Sequence, residues 1–150
     1  HRRKSLLQIL HLPFLSQIQR HHRAMVHHRK SMSLQEEFHA YRSRMNARIL
    51  GSDSKVFKRL WSLDTLTYQD EGVLDKKTKE LMGLCVSLAM RCDSCVKYHI
   101  EEALKAGANE AEIVETFEIA TVIGGSIVIP ELRRAFDYLD ELLSTDSADS

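Results

Sequence analysis

From Ser33 onward the apolar residues recur at intervals of three and four, and the polar runs between them carry capping signals. That pattern predicts a succession of helices. Ser33-Leu34-Gln35-Glu36 has the form of a capping box, and Phe38, Tyr41, Met45 and Ile49 follow along one helical face to Gly51. A second helix is expected from about Ser54, with Val56, Phe57, Leu60, Trp61 and Leu63 or Leu66 turned inward; Tyr68 to Gly72 is expected as loop. The third begins near Leu74-Asp75 with charged turns. It then becomes apolar on almost every side (Leu81, Met82, Leu84, Cys85, Val86, Leu88, Ala89, Met90), which predicts a central helix buried all round. It should break between Arg91 and Ser94, where Asp93 or Ser94 can cap a fourth helix through Cys95, Tyr98, His99, Ala103 and Leu104 to Gly107. A fifth starts at Asn109-Glu110-Ala111-Glu112, another capping-box pattern, and carries Ile113, Val114, Phe117, Ala120, Thr121 and Ile123 to Gly124-Gly125. The sixth follows Pro130, with Leu132, Ala135, Phe136, Leu139 and Leu142 buried. No alternating strand pattern appears and nothing repeats at a fixed period. The expected fold is all-α, a bundle of about six helices.

Composition changes this picture little. A chain of 150 residues, 43% hydrophobic and 28% charged, is one soluble globular domain with room for a core. No apolar run is seen that approaches the roughly 20 residues of a membrane span, so no membrane partner is expected. Charge changes it more. Residues 1–33 hold seven Lys or Arg and no acid, leaving 14 of the 21 basic residues and all 21 acidic ones, a balance of −7, on the remainder. An acidic body argues against a nucleic-acid-binding face. Residues 1–33 also carry six of the eight histidines, and Pro13 interrupts their leucines. This stretch fits a leader, tag or presequence outside the domain, or a helical arm that wraps a neighbouring subunit. Met32 would make a natural start. The domain is expected over 34–143, with 144–150 as a flexible tail.

The candidate chemistry lies between Glu80 and His99. All three cysteines are here: Cys85 inside the apolar helix, and Cys92 and Cys95 as a Cys-x-x-Cys pair with His99 four residues on. Cys85 reads as a small buried hydrophobe. Cys92, Cys95 and His99 share one face if a helix includes them. A thiolate at a helix N-terminus is stabilised by unpaired N–H groups and the macrodipole, which lowers its pKa and supplies a nucleophile. Along one straight helix Glu80 would lie about 18 Å from Cys92. A turn at 91–94 folds it back level with His99, where it can orient the imidazole or relay a proton. Three clustered cysteines are not a secreted disulfide framework; they fit a reducing, cytoplasmic compartment. Zinc on Cys92, Cys95, His99 and a carboxylate is an alternative, although a second Cys-x-x-Cys is missing.

The pattern Glu80-x11-Cys92-x2-Cys95-x3-His99, followed by AGANEAEI and the Gly124-Gly125 segment, resembles the AhpD-like alkylhydroperoxidase branch of the carboxymuconolactone decarboxylase family. The likeness runs from about Trp61 to Leu143, including GVLDKKTKEL. It implies an alkylhydroperoxidase-like enzyme with Cys95 as peroxidatic cysteine, Cys92 as resolving thiol, and Glu80 and His99 in a proton relay. It implies a hydroperoxide substrate, and a dithiol reductant such as a lipoyl group or a thioredoxin-like protein. No cofactor and no resident metal are expected. A homotrimer or homohexamer is implied, with residues 117–136 in its interface. Two other readings stay open: a non-enzymatic redox-sensing or metal-binding oligomer, and an acid–base enzyme of decarboxylase type using Glu80 and His99 alone.

Overall fold

The computed structural model describes residues 32–146 of the chain. The expectations placed on residues 1–31, their paired histidines included, and on 147–150 lie outside the described residues. Six α-helices follow one another: α1 (Leu34–Leu50), α2 (Lys55–Thr67), α3 (Lys76–Ala89), α4 (Asp93–Lys105), α5 (Glu110–Gly124) and α6 (Ile129–Asp146). A 3-10 turn, Gly125–Val128, joins the last two, and no strand occurs among the described residues. The fold is the all-α one that the periodicity predicts.

α3 and α4 form the central hairpin; α5 packs on α3, α6 on α4, and α1 on α6. Leu84 and Leu88 of α3 meet Val96, Ile100 and Ala103 of α4, and Ile113, Phe117 and Ala120 of α5 close the other side. Sequence signals set the starts: Asp75 accepts from the Thr78 N–H (2.7 Å), and Asn109 and Glu112 form a reciprocal capping box. α1 is held from across the bundle as well. The Glu141 carboxylate of α6 accepts the N–H groups of Leu34 and Gln35, each at 2.9 Å. Buried Glu101 of α4 accepts from the Tyr138 hydroxyl of α6 and contacts His39 Nε2 of α1 at 3.0 Å. Burial, followed by the hydrogen bond to Glu101, pushes the Tyr138 phenol far above its usual range.

Several expectations are corrected. α3 is not buried on every side: Glu80, Leu84 and Leu88 face inward, while Met82, Val86 and Met90, about 200° round the helix, are exposed. α2 has no buried residue, and Val56, Phe57, Leu60, Leu63 and Leu66 lie open with only Trp61 half-covered. In α6 the inward row is Ala135, Tyr138, Leu139 and Leu142; Phe136 lies partly outside against Phe117. In α1 only Phe38 is buried and Tyr41 is exposed. α6 continues past Leu143 to Asp146, three residues into the stretch expected as tail, and the Ser144 and Thr145 hydroxyls bond back to the carbonyl of Glu141. Finally, the span Glu110–Thr145 does contain an 18-residue window of mean hydropathy 1.6, apolar enough by composition to cross a membrane. Its Ile113, Phe117, Ala120 and Val128 are core residues of the bundle, but only 28% of that window is buried, and Ile119, Val122, Ile123 and Ile127 are exposed.

Candidate functional site

The turn between α3 and α4 is built from one hydrogen-bond motif. The Arg91 N–H donates to the Leu88 carbonyl and the Cys92 N–H to the Ser87 carbonyl, each at 3.0 Å. These are the two bonds of a Schellman ending. Arg91 occupies its left-handed position with φ 59°. Cys92 is at once the residue that closes α3 and the N-cap of α4, a place expected for Asp93 or Ser94. Its carbonyl accepts from the N–H groups of Cys95 (3.0 Å) and Val96 (2.9 Å). Cys95 therefore sits in the first turn of α4, where the helix presents its positive end. Cys92 and Cys95 are joined as a disulfide, with their Cα atoms 5.3 Å apart.

Reversal of the chain at this turn brings the other two predicted residues together. Glu80 is fully buried on α3, and its Oε2 lies 2.8 Å from Nδ1 of His99 on α4. With Glu80 ionised, Nδ1–H donates and Nε2 is left as the ring's acceptor. The other oxygen, Oε1, has no hydrogen-bond partner. Among the described residues no hydrogen bond links the imidazole to either sulfur; His99 stands one turn beyond Cys95 on the same helix. Cys85 packs beside the core, and burial pushes its thiol up. No group of three or more His, Cys, Asp or Glu arranged to hold a metal occurs among the described residues.

Four further residues shape the site without having been given a part in it from the sequence. The His99 ring lies between Tyr68 and Tyr98, with centroids 5.2 Å away on both sides. Arg42 of α1 caps Tyr98, its guanidinium 4.0 Å from the ring centroid. Gly83 lies beneath: a Cβ there would stand 2.6 Å from both His99 Cε1 and the Tyr68 hydroxyl. A glycine inside an otherwise apolar helix was the available signal for such a close approach. Tyr68 follows α2 in a loop, which no periodicity ties to α4. Burial first, then the Glu80 carboxylate, pushes the Tyr68 phenol above its usual range. Tyr68 also separates two clefts. One, of about 430 Å³, is walled by Met82, Gly83, Val86, Ser87 and His99; the other, of about 410 Å³, reaches Glu80 past Asp64, Asp70 and Lys76. The first is mostly apolar, with the imidazole at its wall.

The Carboxymuconolactone decarboxylase family model matches residues 54–141. Among solved structures, a Thermotoga maritima protein is 44% identical, with a TM-score of 0.72 over 75% of this chain and 97% of its own. A second structure of that protein (42%, TM-score 0.71, 75% and 95% covered) is described as a carboxymuconolactone decarboxylase family protein with a suggested part in the antioxidative response. A family member from Legionella pneumophila is 26% identical, with a TM-score of 0.64 over 70% of this chain and 93% of its own. An uncharacterised cox-locus protein of Paracoccus denitrificans is 29% identical over 72 residues, 48% of this chain and 65% of that relative. A family match over more than half the chain, on the same helical fold with 44% identity to a solved relative, places this protein in the carboxymuconolactone decarboxylase family.

Proposed function

We propose that the protein is a thiol-dependent peroxidase of alkylhydroperoxidase type. The observation that supports this best is the pairing of Cys92 with Cys95 at the start of α4, one turn from an imidazole held by a buried carboxylate. In the reduced protein the Cys95 thiolate, stabilised by the helix N-terminus, attacks the terminal oxygen of a hydroperoxide. The O–O bond breaks, Cys95 becomes a sulfenic acid, and the leaving alkoxide takes a proton from the relay of His99 and Glu80. The Cys92 thiol then condenses with the sulfenic acid; the S–S bond forms and water leaves. A dithiol, either a lipoyl group or a thioredoxin-like protein in a cytoplasmic setting, restores both thiols by exchange. One equivalent of peroxide should remove two hydrogens from the peptide carrying residues 92–95, read by mass spectrometry. Parent-level turnover in Cys95→Ser would overturn the assignment.

A second reading is favoured by one observation: His99 lines the larger cleft and neither cysteine does. There Glu80 and His99 act as acid and base on a carbon substrate and the sulfurs are bystanders. Activity that survives in the Cys92→Ser, Cys95→Ser double variant selects it.

The active form is proposed to be a homotrimer or homohexamer. Ile119, Val122 and Ile123 of α5 stand exposed, as do Met82 and Val86 of α3, the helix on which α5 packs, leaving apolar surface that this subunit does not cover. A monomer by light scattering at micromolar concentration would overturn it.

A further inference from the structure

The side of the α3–α4 turn facing α6 holds groups that the peroxidase reading leaves unused. Glu131, in the first turn of α6, is only 2% exposed. Its Oε2 accepts from Arg134 Nη2, while Oε1 has no hydrogen-bond partner. A buried carboxylate oxygen without a donor is unfavourable unless something supplies one. Glu131 lines a pocket of about 300 Å³ together with Met90, Arg91, Ile127, Pro130 and Arg134. That is the size of a small-molecule site. Arg91 forms no ion pair with any described residue, yet it holds the left-handed position where glycine is the usual choice. Strain kept at such a place points to a use for the side chain. Arg134 reaches the residue that lies between the two cysteines in sequence: its Nε is 3.4 Å from Oδ1 of Asp93, and Asp93 Oδ2 also meets Lys97 at 3.0 Å. Both chain neighbours of Cys92 thus belong to the pocket or are tied to it.

We propose that this pocket binds a small zwitterionic thiol of amino-acid type, its ammonium on Glu131 Oε1 and its carboxylate on Arg91 and Arg134. Met90, Ile127 and Pro130 supply apolar walls for its carbon skeleton. A bidentate guanidinium contact suits a carboxylate, and the orphaned oxygen suits an N–H donor. The sulfur of the bound molecule is delivered to Cys92. Its thiolate attacks Cys92 Sγ, the S–S bond breaks, and Cys95 leaves as a thiolate received by the N-terminus of α4. A second thiol attacks the incoming sulfur of the mixed disulfide, frees Cys92 as a thiol and departs as the oxidised dimer of the reductant. Two thiols are oxidised and one protein disulfide is reduced. The proposal rests on the functional reading only in taking the Cys92–Cys95 disulfide as the species reduced, and it gives that disulfide a second reductant beside the dithiol.

The test starts from the oxidised protein and uses no peroxide, so a failure to turn over peroxide would sink the peroxidase reading and leave this one standing. Reduction rates are measured with L-cysteine, cysteamine (no carboxylate), N-acetylcysteine (no free amine) and 2-mercaptoethanol, each corrected to its thiolate concentration. L-Cysteine should saturate and exceed the other three by about tenfold or more, the yield of one well-made charged contact. Arg91→Gly and Glu131→Gln should each erase most of that advantage, read as the ratio of the L-cysteine rate to the 2-mercaptoethanol rate within the same variant. Arg91→Gly relieves the backbone, so its melting temperature should not fall and the loss cannot be ascribed to unfolding. Equal rates for the four thiols in the parent, or an advantage that persists in Arg91→Gly, would overturn the proposal. So would a change in molar mass by light scattering in Arg91→Gly with the thiol preference intact, since the pocket would then serve a second copy.

Discussion

Two helix ends in this bundle are closed by the same pair of hydrogen bonds but by different residues. At the end of α4, Gly107 takes the left-handed position with φ 87°, its N–H bonded to the Leu104 carbonyl and that of Ala108 to the Ala103 carbonyl, both at 2.9 Å. At the end of α3 the same position is held by Arg91. Glycine satisfies the geometry at no steric cost, whereas an L-residue loses about 1–2 kcal/mol there. The Gly107 ending only returns the chain toward α5. The Arg91 ending carries the cysteine pair on its next residue, and keeps a side chain where stability alone would favour none. Turns of one geometry can therefore be told apart by which of them tolerates strain.

The comparison is sharpened most by removing the chemistry from the Arg91 side. Cys95→Ser should lower peroxide turnover by about 10³-fold or more while the melting temperature stays close to the parent's, as measured on the reduced proteins. Glu80→Gln keeps an acceptor for His99 but no longer a charge, and should cost about 10- to 100-fold in turnover, measured as peroxide consumption. Gly83→Ala drives a methyl against the His99 ring and the Tyr68 hydroxyl. It should lose about 1–3 kcal/mol of stability by denaturant titration together with much of the activity, because both rings must shift.

The two turns themselves give a smaller, opposed pair. A Cβ at Gly107 meets nothing within 4 Å, so Gly107→Ala tests backbone strain alone and should destabilise by about 1 kcal/mol with turnover unchanged. Arg91→Gly should go the other way, gaining up to about 1 kcal/mol. Equal and same-signed effects at both turns would break the comparison. The smallest effect expected is a pH dependence at the helix starts. The Thr78 backbone N–H holds Asp75 below the usual carboxylate range, and the Lys77 ammonium does the same for Glu112. A depressed folded-state pKa gives stability that is present above the unfolded value, near 4, and lost as pH falls through the folded one. Thermal midpoints should accordingly decline below about pH 4, and less so in Asp75→Asn, which keeps the cap acceptor without the titration.

Much of the molecule was legible along the chain because the signals were local. Asn109 with Glu112 marks the start of α5, and the i, i+3, i+4 rows mark the helices. Cys-x-x-Cys with His99 one turn on places three groups on one short helical stretch, and a break at 91–94 sufficed to expect Glu80 beside His99. Burial was less legible. Hydropathy marks Leu60, Val86 and Ile123 as apolar, but whether an apolar residue is covered depends on which neighbouring elements reach it, and in this subunit none covers them.

The sequence by itself determined the helices, the hairpin turn and the four residues of the candidate redox centre, since hydrogen-bond spacing and side-chain period act within a few residues. Only the tertiary structure decided that Tyr68 and Tyr98 pack on the imidazole, that Gly83 makes room for it, and that Arg134, paired with Glu131, meets Asp93 between the two cysteines. Glu131 is 36 residues beyond Cys95 in the chain, on a helix whose own pattern says only that one face is apolar. The packing of α6 on α4, a matter of surface complementarity between distant segments, brings its partner Arg134 to Asp93.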